Sequence, residues 1–198
     1  MNDAFFIWLI GYAVPAFVAG VAIKILPKSQ SRLNIRNALI ACASLSVSII
    51  STQIYIHAVG YEFPWTPSLL SITCALASIL IAYRLMGMSS LAYWAYCLLQ
   101  EITLLSITFL LLSEFSLLLI VALVVPFFVW CHPLYVGKLW LLRIALFTAW
   151  GIISLSLFYI IKDIYIITAF HSILGAWFIS KSILYSQVYD DMTSYLRA

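Results

Sequence analysis

Glu101 is the only formally charged side chain that falls well inside a hydrophobic segment of this 198-residue chain; the other Lys, Arg, Asp and Glu residues read as loop, border or tail positions. A carboxylate in an apolar interior is expensive to bury, faces protein or trapped water, and marks a functional site. Its neighbourhood, LeuLeuGlnGluIleThrLeuLeu over 98–105, offers no base within a helical turn. Its partners must therefore come from other elements unless it is protonated. The side chains able to serve are the three histidines. His132 ends one apolar segment, His171 lies inside another, and His57 closes a third near its polar end, where it reads as an interfacial residue. A carboxylate and two imidazoles brought together can activate water, pass a proton or ligate a metal, and the residue types alone leave these three open.

The elements that must position them are membrane helices. With 65% hydrophobic residues, 9% charged residues and a mean hydropathy of +1.11, the chain reads as an integral membrane protein. A hydrocarbon core of about 30 Å takes roughly 20 helical residues to cross. Apolar stretches of about that length lie near 4–25, 37–58, 66–86, 89–112, 115–131, 139–161 and 164–186. The expected fold is an all-α polytopic transmembrane bundle of seven helices, forming one integral membrane domain over 1–198 with a polar tail at 187–198. Pro126 lies inside the fifth stretch and Pro133 just beyond it, so a kink is expected there.

Lys and Arg favour the cytoplasmic side of a membrane. Lys24, Lys28, Arg32 and Arg36 flank the first connection, Arg84 the third, Lys138 and Arg143 the fifth, and Lys181 and Arg197 the C-terminus; with seven spans all fall on one side. The other side carries Asp3, Glu62, Glu114 and Asp163, with Lys162 as its single base. The N-terminus is thus expected outside and the C-terminus in the cytoplasm of a cell-membrane protein. The net charge of +3 follows from this topology and from contact with the lipid bilayer, and gives no support to a nucleic-acid partner. The first segment starts with Asp3 and precedes the most basic loop, so it does not read as a cleavable signal peptide. Cys42, Cys74, Cys97 and Cys131 sit singly in different apolar stretches and read as buried, reduced thiols.

Helical spacing sharpens the picture. Tyr93, Cys97, Glu101 and Thr108 form a narrow semi-polar stripe on the fourth segment, and Thr168, His171, Ser172 and Gly175 a comparable face on the seventh. Thr148, Gly151 and Ser154, at i, i+3 and i+6 on the sixth, are small residues that permit close approach of helices. Such a stripe reads as packing. A buried Glu with two histidines reads as a site.

The order of these residues resembles a known family. In the CAAX protease and bacteriocin-processing group of glutamic-type intramembrane proteases, a Glu-Glu-x-x-x-Arg helix precedes a Phe-x-x-x-His helix and a later His-x-x-x-Asn or Asp helix. Here the second motif stands as Phe128-Val129-Trp130-Cys131-His132, 31 residues after Glu101 (132 minus 101). The third begins as AlaPheHisSerIleLeuGlyAla, with His171 another 39 residues on (171 minus 132). The similarity covers residues 88–180. Three positions depart from it: Gln100 replaces the first Glu, Leu105 stands at the Arg position, and Gly175 replaces the Asn or Asp.

The resemblance implies an intramembrane endopeptidase acting without a metal or other cofactor. Its substrate would be a membrane-anchored or lipidated protein, or a hydrophobic peptide. Glu101 would activate water, His132 and His171 would stabilise the oxyanion or hold the water, and Gln100, Phe128 and Gly175 would support the site or contact substrate. Zinc is the alternative for one Glu and two His, although their spacing is not a local metal motif. Two other classes stand beside the enzyme. One is a non-catalytic member that binds a peptide or protein partner, as in bacteriocin immunity. The other is a small transporter or substrate-binding membrane subunit that uses the same residues for a proton or ligand.

The charge alternation yields a direct expectation. Single-cysteine labelling in intact membranes should place the loop around Ser29 and the C-terminal tail on the same, cytoplasmic, side. Labelling from opposite sides would mean that the number of spans between them is not even, as the charge pattern requires.

Overall fold

The computed structural model describes residues 3–25, 65–112, 114–132 and 139–181 and parts of 43–63. Among the described residues all regular structure is helical. Helix α1 (Asp3–Trp8) passes through a π turn (Leu9–Ala13) into α2 (Val14–Ile25). Residues 52–58 are helical, and α3 (Leu69–Met86), α4 (Ser89–Leu111), α5 (Leu117–Trp130), α6 (Trp140–Ile161) and α7 (Ile164–Ser180) follow. These bounds track the expected apolar segments closely. The basic first connection, Cys42, Pro133, Lys138 and the tail lie outside the described residues. α3, the Tyr93–Leu111 part of α4, and α6 are long and apolar enough to cross a membrane.

Local chemistry explains where the helices begin and end. Ser68 and Ser71 form a reciprocal capping box at the start of α3, each hydroxyl accepting the other's backbone N–H at 3.0 Å. Gly87 ends α3 at φ +66°, a conformation open to glycine, and the chain turns at once into α4. Asp163 caps α7 by accepting from the backbone N–H groups of Tyr165 at 2.9 Å and Ile166 at 3.1 Å. Only Lys162 and Asp163 separate α6 from α7, and Lys162 takes the left-handed conformation at φ 53°. The π turn precedes Pro15, which has no N–H to return to Gly11; instead the Val14 N–H bonds back to the Leu9 carbonyl. α5 runs through Pro126 to Trp130 with Pro126 exposed.

Packing follows the small residues. α3 lies most extensively against α7, and Ala82 of α3 shares a buried cluster with Ala176 of α7. Their helix starts adjoin, because the Ser71 hydroxyl donates to the Asp163 carboxylate. α5 packs on α6, where Gly151 leaves room for Val125 and Phe128. The expected stripe of small residues on α6 is thus a packing surface. The interior forms two apolar clusters: a large one around Ile102, Leu104, Leu105, Ile107, Phe128 and Phe158, and a smaller one of Ala82, Met86, Tyr93, Cys97, Ala176 and Ile179. Leu, Ile and aromatic side chains cover much of the outside, including Leu69, Leu76, Leu80, Leu118 and Ile160.

Arg143 lies in the first turn of α6, at the expected border of that segment, and is buried, with 5% of its surface accessible. The long stem allows a residue near a helix end to be covered by neighbouring chain.

Gly175 is a point of close α4–α7 approach, since a Cβ there would collide with the Tyr93 hydroxyl. Gly175→Ala is expected to cost about 1–3 kcal/mol through overpacking, read as a lower thermal midpoint in detergent. Adding Tyr93→Phe, which removes the nearest colliding atom, should recover part of the loss. Additive destabilisation in the double variant would show that the contact is not the cause.

Candidate functional site

Glu101 stands in the middle of α4, between Tyr93 and Cys97 of the small cluster and Ile102 to Leu105 of the large one. Its surface is fully buried. Two helices supply its partners. His171 of α7 lies with Nδ1 2.7 Å from Oε1, and Trp150 of α6 donates its indole N–H to the same oxygen at 2.9 Å. The rings of Trp150 and His171 are in contact, with centroids 5.1 Å apart. Because Nδ1 donates to Oε1, a neutral His171 carries its proton there and leaves Nε2 as an acceptor. The other carboxylate oxygen, Oε2, is buried and has no hydrogen-bond partner among the described residues.

The neighbouring Gln100 points to a second network. Its amide nitrogen lies 2.7 Å from His132 Nε2 and donates to the Tyr96 hydroxyl at 3.0 Å. His132 Nδ1 donates to the Phe128 carbonyl at 2.6 Å, so Nε2 accepts from Gln100. With both ring nitrogens engaged, a neutral His132 has no spare donor in this arrangement. Its role here is to fix Gln100 and the end of α5. Phe128 contributes through its carbonyl and through its ring, whose centroid lies 4.8 Å from that of His132.

The two networks meet on one side of α6. Phe147 packs on His132 with centroids 4.5 Å apart, and Trp150, three residues on, packs on His171. The two imidazoles lie within electrostatic reach of each other. Tyr12, on the π turn, is likewise within electrostatic reach of Glu101 and donates its hydroxyl to the Val124 carbonyl at 3.2 Å.

Of the residues singled out from sequence, Glu101 and His171 are brought into direct contact, Gln100, Phe128 and His132 into an adjoining network, and Gly175 against Tyr93. His57 is exposed and in neither network. Leu105, at the position of the family's Arg, is fully buried in the large apolar cluster. Trp150 is the partner that the sequence did not single out. Its indole is one of seven in an aromatic-rich chain, and nothing in its spacing marks it. Among the described residues no three His, Cys, Asp or Glu side chains are grouped to hold a metal ion. Cys74, Cys97 and Cys131 are not in disulfides; only Cys97 is buried as expected, against Tyr93, while Cys74 and Cys131 are half-buried. No family model, no curated protein and no solved structure matches this chain.

Gln100→Leu leaves the buried acceptor of His132 unpaired, which is expected to cost about 1–3 kcal/mol. Combining it with His132→Phe should restore part of that loss, since both polar partners are then gone. Thermal unfolding of the single and double variants measures the coupling, and simple additivity would mean that the pair is not formed.

Proposed function

We propose that the chain is a polytopic cell-membrane protein with seven spans, its N-terminus outside and its C-terminus in the cytoplasm, and that it works as an intramembrane endopeptidase. The topology is supported by the charge alternation. It also agrees with the contact of the α3 and α7 starts and with the stacking of Phe17 on Trp130, since both pair odd-numbered spans running in the same direction. The substrate class is a membrane-anchored or lipidated protein, or a hydrophobic peptide. No cofactor is needed for the chemistry.

The observation that carries the reading is the Glu101–His171 pair, 2.7 Å apart on two different helices and held by a third through Trp150. A carboxylate and an imidazole in hydrogen-bond contact can take a proton from water and return it to a leaving amine, the two proton transfers that peptide hydrolysis requires. The apolar surroundings exclude bulk water and strengthen each electrostatic contact. The Gln100 amide donates to Tyr96 and His132, and exchanging either partner frees an N–H for an oxyanion.

A second reading is a non-catalytic member of the same fold that binds a peptide or protein partner. Two observations favour it: Leu105 is packed into the core at the position where the resembled family has Arg, and the Tyr93 hydroxyl occupies the space in front of Gly175.

Glu101→Gln separates these readings, because it keeps size and hydrogen bonding but removes the carboxylate charge. Expression and thermal stability should survive, while cleavage of a membrane-tethered substrate should fall by about three orders of magnitude or more. His171→Ala should be similarly severe and His57→Ala nearly silent. The assay must follow the new termini of the product. Full biological activity of Glu101→Gln, with no cleaved product at any time, would replace the enzyme by the binding protein.

A further inference from the structure

We infer that His171, and not Glu101, is the member of the pair that meets water and substrate, with Trp150 as the positioning residue that holds the two in that order. The inference rests on the hydrolytic reading of the site and assigns its proton-accepting atom as His171 Nε2.

Accessibility decides between the two residues. Of the His171 side chain 11% is accessible, whereas none of the Glu101 side chain is. Glu101 Oε1 already accepts from His171 Nδ1 and Trp150 Nε1, and Oε2 is enclosed. Water attacking a substrate would therefore have to reach the carboxylate through the imidazole. The imidazole itself is presented the right way round. Its Nδ1–H is committed to Glu101, and among the described residues Nε2 has no hydrogen-bond partner, so its lone pair is available. His132 offers no such nitrogen, because Gln100 and the Phe128 carbonyl take both.

Trp150 touches both members of the pair. An indole N–H can only donate, so its bond to Oε1 keeps that oxygen an acceptor and leaves the carboxylate turned toward His171. Its ring lies against the imidazole at an interplanar angle of 44°, which limits rotation of His171 about its own bond. One residue of α6 thus fixes the orientation of a side chain from α4 and one from α7.

The resulting step balances without a cofactor. His171 Nε2 takes a proton from water as the water oxygen bonds to the carbonyl carbon of the scissile peptide, and the carbonyl π pair moves to its oxygen. The imidazolium then gives that proton to the amide nitrogen as the carbon–nitrogen bond breaks. Glu101 remains a carboxylate throughout and faces the imidazolium at Nδ1. An acid and an amine leave, and both residues return to their starting forms. Glu101 is then a partner of the base, which departs from the role that the family resemblance gives it.

Chemical labelling of the full-length wild-type chain in membranes tests this without a substrate. Diethyl pyrocarbonate should modify His57, which is exposed, and His171, each at least about tenfold faster than His132, whose nitrogens are engaged. A hydrophobic carbodiimide should leave Glu101 unmodified. Carbodiimide labelling of Glu101 together with protection of His171 equal to that of His132 would overturn the assignment, whether or not cleavage has been found. Where cleavage is followed, Trp150→Phe should lower kcat by about 10- to 100-fold with KM little changed and should alter the rate of His171 modification. An unchanged kcat and unchanged labelling would remove Trp150 from the positioning role.

Discussion

The hydrogen bonds to one oxygen of Glu101 are the constraint around which the described bundle is arranged. A carboxylate without water costs several kcal/mol unless donors replace the solvent. α4 has no such donor within reach along its own length, so α6 and α7 must approach closely enough to supply an indole and an imidazole. Truncating either donor would leave a buried charge partly uncompensated, which is worse than never having had the pair. The same requirement that makes the site expensive therefore ties together three helices whose apolar surfaces would otherwise pack with little specificity.

That approach depends on residues far from the carboxylate. The two-residue turn after α6 forces α7 to lie antiparallel beside it, and Asp163 starts α7 at a defined residue by capping it. The Ser71 hydroxyl on Asp163 then fixes α3 against α7 at one end, and Gly175 lets Tyr93 close the other. His171 lies between these two points, so its distance from α4 is set by contacts on both sides. In an apolar solvent the pull between helices comes from close packing and hydrogen bonds more than from burial of hydrophobic surface. The serines, threonines and glycines of α3 and α7 are accordingly where precision resides.

Much of the fold was legible in the sequence, because runs of about 20 apolar residues separated by charge leave few alternatives to helices. Glu101 and His171 were legible for a related reason: in a chain with 9% charged residues, a polar group inside an apolar run stands out. Their contact was not, since 70 residues separate them and helical faces alone do not tell which helices touch. Trp150 was invisible because an indole serves equally as packing and as a donor, and only the position of Oε1 distinguishes the two. The engagement of both His132 nitrogens, by Gln100 and by the Phe128 carbonyl, was likewise not legible, because it depends on how two helices meet. Gln100 was named as a supporting residue, but its partner could not be read from the motif. Arg143 was legible as a border residue, but its burial was not, because no local pattern encodes it.

The three departures from the resembled family bear on one another in the structure. With Gln at 100 in place of a second carboxylate, like-charge repulsion beside Glu101 is absent, and an Arg at 105 would have no second anion to balance; Leu105 can enter the apolar cluster. Gln100 in turn can satisfy His132 as a neutral donor, which a carboxylate could do only with a protonated ring. Gly175 leaves the space that the Tyr93 hydroxyl occupies, about two turns before Glu101 on α4. The His171 side chain keeps 11% of its surface accessible where that of Glu101 keeps none, so proton exchange between this pair and its surroundings has to pass through the imidazole.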